Sequence, residues 1–174
     1  VADVWPGGAA ERAGLRQGDV VTSVDGGPVV DAAALNYAIT THRPGDAVRI
    51  GLRRGSAEQA ISLRAEAAPA IPARDERLIN GRNPFAGATV VNLSPAVAEE
   101  LGLDPFSGPG VLVSKVAGGA AAQVGLRPGD IIRAVNGRDI RTVRDLSGAV
   151  TGAAATWQVT IERNGQQVTA TFRT

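Results

Sequence analysis

His42 is the one histidine in 174 residues, and cysteine is absent, so an imidazole base or a thiolate nucleophile is built on His42 or not at all. Its setting, Thr-His-Arg-Pro-Gly-Asp from Thr41 to Asp46, is a polar turn ahead of a strand. No nucleophile or orienting carboxylate stands near it in a recognisable spacing, so it reads as a loop histidine rather than a catalytic base. The same counts exclude thiolate and multi-histidine metal sites, and no metal or cofactor is expected. The sequence contains no Gly-x-Ser-x-Gly elbow, His-Glu-x-x-His pair or phosphate-binding loop, and no glycine-rich turn placed between a strand and a helix as a dinucleotide site requires. Asn92-Leu93-Ser94 fits a glycosylation sequon, but it lies in an expected strand before Pro95 and is given no role. Charge is uneven: residues 112–174 carry 8 basic and 4 acidic side chains, against 7 and 7 in residues 1–64 and 3 and 6 in residues 65–111. Arg138, Arg141 and Arg144 gather at the start of an expected helix. There they either attract an acidic peptide or a neighbouring domain, or form a solvated face on a chain whose single lysine is Lys115.

With enzymatic chemistry unsupported, the elements decide. At 44% apolar and 20% charged residues and a net charge of +1, the chain has the makeup of a folded protein without bulk affinity for nucleic acid. It has no apolar run of membrane-spanning length, and no charged-then-apolar address segment opens it. Twenty-two Gly, 10 Pro, 3 Phe, 2 Trp and 1 Tyr point to short elements and tight turns. An internal repeat organises them. Gly8 to Val29 reads GAAERAGLRQGDVVTSVDGGPV, and Gly119 to Ile140 reads GAAAQVGLRPGDIIRAVNGRDI, identical at ten of twenty-two positions. The two copies span residues 1–66 and 83–174. Between them, residues 67–82 read as a linker: Ala65 to Arg82 is rich in Ala and Pro, ends in a charged run and lacks periodicity.

Each copy is legible locally. Gly110 to Val116 is a strand, and Ala120 to Val124 is a short helix that Gly125 ends in the left-handed conformation, with Leu126 folding back as the apolar cap. Asp130 to Val135 and Asp19 to Val24 are strands that run into Asn136-Gly137 and Asp25-Gly26, the dipeptides of tight hairpins. Asp31 and Thr142 cap two helices, one with Ala32, Leu35, Ala38 and Ile39 on its apolar face and the other with Val143, Leu146, Ala149 and Val150. Two closing strands follow in each copy. The expected class is α+β, mostly β: two small antiparallel barrels or sandwiches capped by helices.

The segment GAAAQVGLRPGDIIRAVNGRDIRTVRDLSGAV resembles a PDZ domain of the bacterial, circularly permuted kind. The tandem arrangement and PFAGATVVNLSPAVAEELGL resemble the C-terminal half of HtrA (Do-like) periplasmic serine proteases. The resemblance implies binding of extended peptides by strand addition, with a loop of free amides that captures a terminal carboxylate. Phe85, Ala86, Gly87 and Ala88 fit that loop. The strand from Ala88 to Leu93, with Val90, would receive the peptide, and the opposite wall would be the helix carrying Val143, Leu146, Ser147 and Val150. Arg82 either adds charge to the carboxylate site or is a solvated linker residue. Ala86 and Ala88 stand where the resemblance implies bulkier aliphatics, so a wider pocket and ligands ending in a large apolar or aromatic residue are expected. Nothing in the first copy corresponds to Phe85 through Pro109, so it is expected to lack its N-terminal part and to have an incomplete groove. The implied role is a non-catalytic, periplasmic module that recognises C-terminal or extended segments of misfolded or unassembled proteins and acts on its own protease domain and on neighbouring subunits. The alternatives are the PDZ pair of a membrane-embedded metalloprotease and a scaffold without a protease. Neither nucleic acid nor direct membrane insertion is expected.

Overall fold

The computed structural model describes residues 1–152 and 154–173. They divide into two compact units, Val1–Ala67 and Ala68–Thr174. In the first, α1 (Ala9–Arg12), β1 (Val20–Val24), β2 (Gly27–Pro28), α2 (Ala32–Thr40), β3 (Ala47–Arg54) and β4 (Ala57–Arg64) follow in chain order. The strands form one antiparallel sheet of order β2-β1-β3-β4. α2 begins as its cap dictates, with the Asp31 carboxylate accepting the Ala34 amide at 2.7 Å. Its Leu35, Ala38 and Ile39 lie on Val24, Val48 and Ile50 of the sheet. Val1 donates to the Asp19 carbonyl and accepts from Gly18. The same two bonds tie Val113 to Asp130 and Gly129 in the second unit, so the repeat extends to the first residue.

The second unit contains β5 (Arg77–Leu78), β6 (Ala88–Asn92), α3 (Pro95–Glu100), β7 (Val111–Val116), α4 (Gly119–Gln123), β8 (Ile131–Val135), β9 (Arg138–Asp139), α5 (Val143–Ala149), β10 (Thr156–Arg163) and β11 (Gln166–Arg173). Its sheet runs β11-β10-β8-β7-β6-β5, with β9 on β8. The α+β, mostly β class stands. Of the barrel and sandwich alternatives, neither sheet closes on itself among the described residues. β6 is apolar on both faces because two cores meet on it. Ala88 and Val90 join Val113, Ile132, Val135 and Trp157 on one side; Val91 and Leu93 join Leu112, Ile131 and the α3 residues Val97 and Ala98 on the other. α3 is an element the periodicity did not announce. It starts at Ser94, whose hydroxyl accepts the Val97 amide, with Pro95 in the first turn where its missing N–H costs nothing.

The repeated Gly-Leu-Arg-x-Gly-Asp turn is held by its aspartate. Asp130 is 1% exposed, accepts the Arg127 amide at 2.8 Å and receives Arg163 Nε and Nη2 at 2.6 Å each, while Arg163 also reaches the Gly125 carbonyl. Asp19, Arg16, Arg54 and Gly14 repeat the pattern in the first unit. The Arg54 fork outweighs desolvation and holds the Asp19 carboxyl down at about 2.

Candidate functional site

The face formed by β6, α5 and residues 83–87 brings together most of the residues that the sequence singled out. α5 opens with a capping box: the Thr142 hydroxyl accepts the Asp145 amide at 3.2 Å, and the Asp145 carboxylate accepts the Thr142 amide at 2.9 Å. The Thr142 hydroxyl bond, reinforced by the amides of Arg141 and Thr142 and by nearby Arg138, holds the Asp145 carboxyl below the usual range against its desolvation. The helix is anchored to the sheet by a residue that the sequence had left without a role. Asn92, 6% exposed at the end of β6, accepts the Val143 amide through Oδ1 at 2.6 Å and donates from Nδ2 to the Ala73 carbonyl at 2.7 Å. A buried amide in an apolar strand needs such partners, which is the signal that could have marked it.

The loop is built on Asn83, whose Oδ1 accepts the Phe85 amide at 3.0 Å and whose Nδ2 donates to Asn80. Phe85 is fully buried. Gly87 adopts φ +93, and a Cβ there would lie 2.2 Å from the Gly118 carbonyl oxygen. The bare backbone lets the loop press against the start of α4, where Ala86 accepts from Ala121 and Gly87 accepts from Ala117.

Phe85, Ala88, Val90, Val143 and Leu146 come together with half-buried Val150 in one cluster. Ala86 and Gly87 form the loop crossing. Ser147 spends its hydroxyl on the Val143 carbonyl at 2.8 Å. Arg82 is exposed on the loop and outside the cluster.

Three expectations change. The loop amides are satisfied within the chain: Phe85 on Asn83 Oδ1, Ala86 on the Asn83 carbonyl, Gly87 on the Ile79 carbonyl, and Ala88 on the Phe85 carbonyl. β6 is paired along both edges, by β7 and by β5, with Arg77 opposite Val90 and Leu78 opposite Thr89. Residues 69–79, placed by composition in the linker, are bonded to the second unit: Pro69 accepts from Ala96, Arg74 accepts from Asn92, and Ile79 is buried in the main core. The physical reason is that a single apolar side chain and main-chain bonds to an exposed sheet edge suffice to fix a segment that has no periodicity of its own. The wide pocket inferred from Ala86 and Ala88 is accordingly not open, since Ala88 is fully buried and Ile79 shares its cluster.

Elsewhere, Arg138, Arg141 and Arg144 are exposed. In the first unit, His42 Nε2 lies 2.7 Å from Asp25 Oδ2, and Nδ1 lies 3.0 Å from the Ala38 carbonyl. The imidazole thus pins the β1–β2 hairpin to the end of α2. The Asp25 hydrogen bond raises its pKa against desolvation. Among the described residues there is no cluster of three metal-ligating side chains, and no helix is long and apolar enough to cross a membrane.

Comparison with known proteins assigns both units. The PDZ domain profile matches residues 1–64, and a second PDZ domain profile matches residues 112–162. The chain is 34% identical over 145 residues to the probable periplasmic serine endoprotease DegP-like of Ectopseudomonas mendocina (strain ymp), covering 80% of this chain and 30% of that protein. It is 33% identical over 153 residues to the protein of the same name from Chlamydia muridarum (strain MoPn / Nigg), covering 88% and 30%. Among solved structures, the HtrA-type protease AlgW with decapeptide matches at 21% identity and a TM-score of 0.44, covering 74% of this chain and 48% of that one. The chain thus spans 30% of the length of these two sequence relatives.

Proposed function

The chain belongs to the PDZ domain family in both units, and from that premise we propose that it is the non-catalytic, peptide-binding regulatory part of a larger periplasmic serine endoprotease of the DegP/HtrA type. The names of its relatives support the compartment and the parent activity, and the 30% of their length that it spans is consistent with a module beside a separate catalytic domain. Its partners are extended or C-terminal segments of unfolded or unassembled proteins, together with the protease domain and neighbouring subunits of the parent. Recognition uses the second unit. An incoming strand aligns antiparallel to β6 along the edge that β5 occupies here and takes main-chain bonds from Ala88 to Asn92; its last residue reaches the Gly87 amide in place of the Ile79 carbonyl, and its apolar side chain joins Phe85, Leu146 and Val150.

The observation that carries this reading is the Asn92 Oδ1 to Val143 amide bond of 2.6 Å. It fixes the start of α5 beside the end of β6, the strand and helix between which a bound peptide would lie. Titration calorimetry of the chain with peptides ending in Phe, Val or Ala, and with an amidated Phe peptide, tests it. A buried aromatic side chain is worth on the order of 1 to 2 kcal/mol over alanine at about 25 cal/mol per Å², so the Phe peptide should bind roughly tenfold more tightly. Amidation should weaken it. Equal affinities for Phe and Ala would contradict the pocket, and equal affinities for acid and amide would contradict capture of a terminus.

A further inference from the structure

Resting on that reading, we propose that residues 74–79 are a built-in ligand of the groove of the second unit, and that an external peptide binds by displacing them. The segment Arg74-Asp75-Glu76-Arg77-Leu78-Ile79 meets each requirement of a bound peptide. It runs antiparallel to β6, with Arg77 opposite Val90 and Leu78 opposite Thr89. Its main chain is bonded at both ends of that strand: Ile79 donates to the Ala88 carbonyl at 2.9 Å, and Arg74 accepts from the Asn92 amide at 2.7 Å. Its last residue stands where a ligand's terminus belongs. The Ile79 carbonyl accepts the Gly87 amide at 2.9 Å, in the position a terminal carboxylate oxygen would take. The Ile79 side chain is buried with Phe85, Ala88, Val143 and Leu146. Asn92 joins the two parts, holding α5 through Val143 and the strap through Ala73 and Arg74.

The hold is weak by construction. Among the described residues from Ala73 to Asn80, Ile79 alone is buried, and the ladder is two residues long. The remaining ties are the surface ion pairs Arg74–Glu100, Arg74–Glu76 and Arg77–Asp75, all between substantially exposed side chains, and such pairs contribute little. β7 and β8, by contrast, are fixed by fully buried Val111, Leu112, Val113 and Ile132. Segments with few buried contacts open locally while the core stays folded. Each main-chain bond between the strap and β6 or Gly87, and the burial of Ile79, is one that a peptide main chain and an apolar terminal residue restore.

The test locks the strap. Ile79 donating to Ala88 makes Leu78 and Thr89 a non-hydrogen-bonded pair, whose Cα separation of about 4.5 Å suits a disulfide. The chain has no cysteine to interfere. In the full chain carrying Leu78→Cys and Thr89→Cys, the free hexapeptide Arg-Asp-Glu-Arg-Leu-Ile is titrated with and without reductant. The reduced protein should bind it, and the oxidised protein should bind at least tenfold more weakly, with recovery on reduction. Equal affinity in both states overturns the strap and leaves the groove standing. Binding in neither state contradicts the groove itself, and the proposal falls with it. Hydrogen exchange on the unmodified chain is an independent check. The Asn92 amide, held by the strap, should exchange faster than the Val113 amide held by Asp130, and equal protection of the two would also overturn the proposal.

Discussion

Replacing Gly87 with alanine tests how the loop is seated. Two costs add at that position. A non-glycine residue at φ +93 costs about 1 kcal/mol. The new Cβ would also stand 2.2 Å from the Gly118 oxygen and 2.8 Å from its carbonyl carbon. Both are main-chain atoms, so the loop or the start of α4 must move by about an ångström, and overpacking of this kind costs roughly 1 to 3 kcal/mol more. The sum is about 2 to 4 kcal/mol, a large share of the 5 to 15 kcal/mol a domain has. Gly129 is the matched control, because it has φ +94 and no atom within 4 Å of an added Cβ; Gly129→Ala should cost only the conformational part, about 1 kcal/mol. Urea unfolding followed by fluorescence separates them. Trp157 is buried in the second unit and Trp5 belongs to the first, so a Trp5→Phe background makes the signal specific. Equal destabilisation by Gly87→Ala and Gly129→Ala would refute the close approach of the loop to α4.

Two further perturbations probe the frame. His42 is raised above its ordinary 6.5 by Asp25, so the stability this pair lends the first unit is fully present below pH 6.5 and is lost as pH rises through the raised value. The urea midpoint read from Trp5 should therefore fall between pH 6 and pH 8.5, and His42→Asn should flatten that dependence; an unchanged slope would contradict the pairing. Asp130→Asn keeps the shape of the turn but leaves the Arg163 guanidinium without its carboxylate. It should cost the second unit about 3 kcal/mol in the same Trp157 assay, and a cost under about 1 kcal/mol would mean that the turn is held by its backbone alone.

Much of the frame was legible because local rules governed it. Asp25 and Asn136 have the positive φ angles expected of residues that precede glycine in tight hairpins. Gly125 ends α4 in the left-handed region, and Leu126 packs behind it in the core. Asp31 and Thr142 cap the helices expected of them. What could not be read was set by contacts distant in sequence. Asp130 looked like the first residue of a strand, yet its partner Arg163 lies 33 positions away. Asn92 looked like a chance sequon, yet it meets Val143 51 positions on. The segment ending at Ile79 looked like a linker because one buried side chain makes no period, and its remaining bonds are main-chain bonds that no side-chain pattern announces. Phe85, Ala88, Val90, Val143, Leu146 and Val150 share one apolar cluster, but their accessibility depends on that strap, which no side-chain pattern announces.

The central claim, that the second unit receives a peptide along β6, is tested most directly by nuclear Overhauser contacts in the complex. The peptide is Arg-Asp-Glu-Arg-Leu-Phe with a free carboxylate, added in excess to isotope-labelled chain. Contacts are expected from the peptide's Phe ring to Leu146 and Val150 and from its main chain to the amides of Gly87 and Val90, with loss of the contacts that Ile79 makes in the main core. A peptide that binds while Ile79 keeps its contacts, or that contacts residues away from β6 and α5, would contradict the claim.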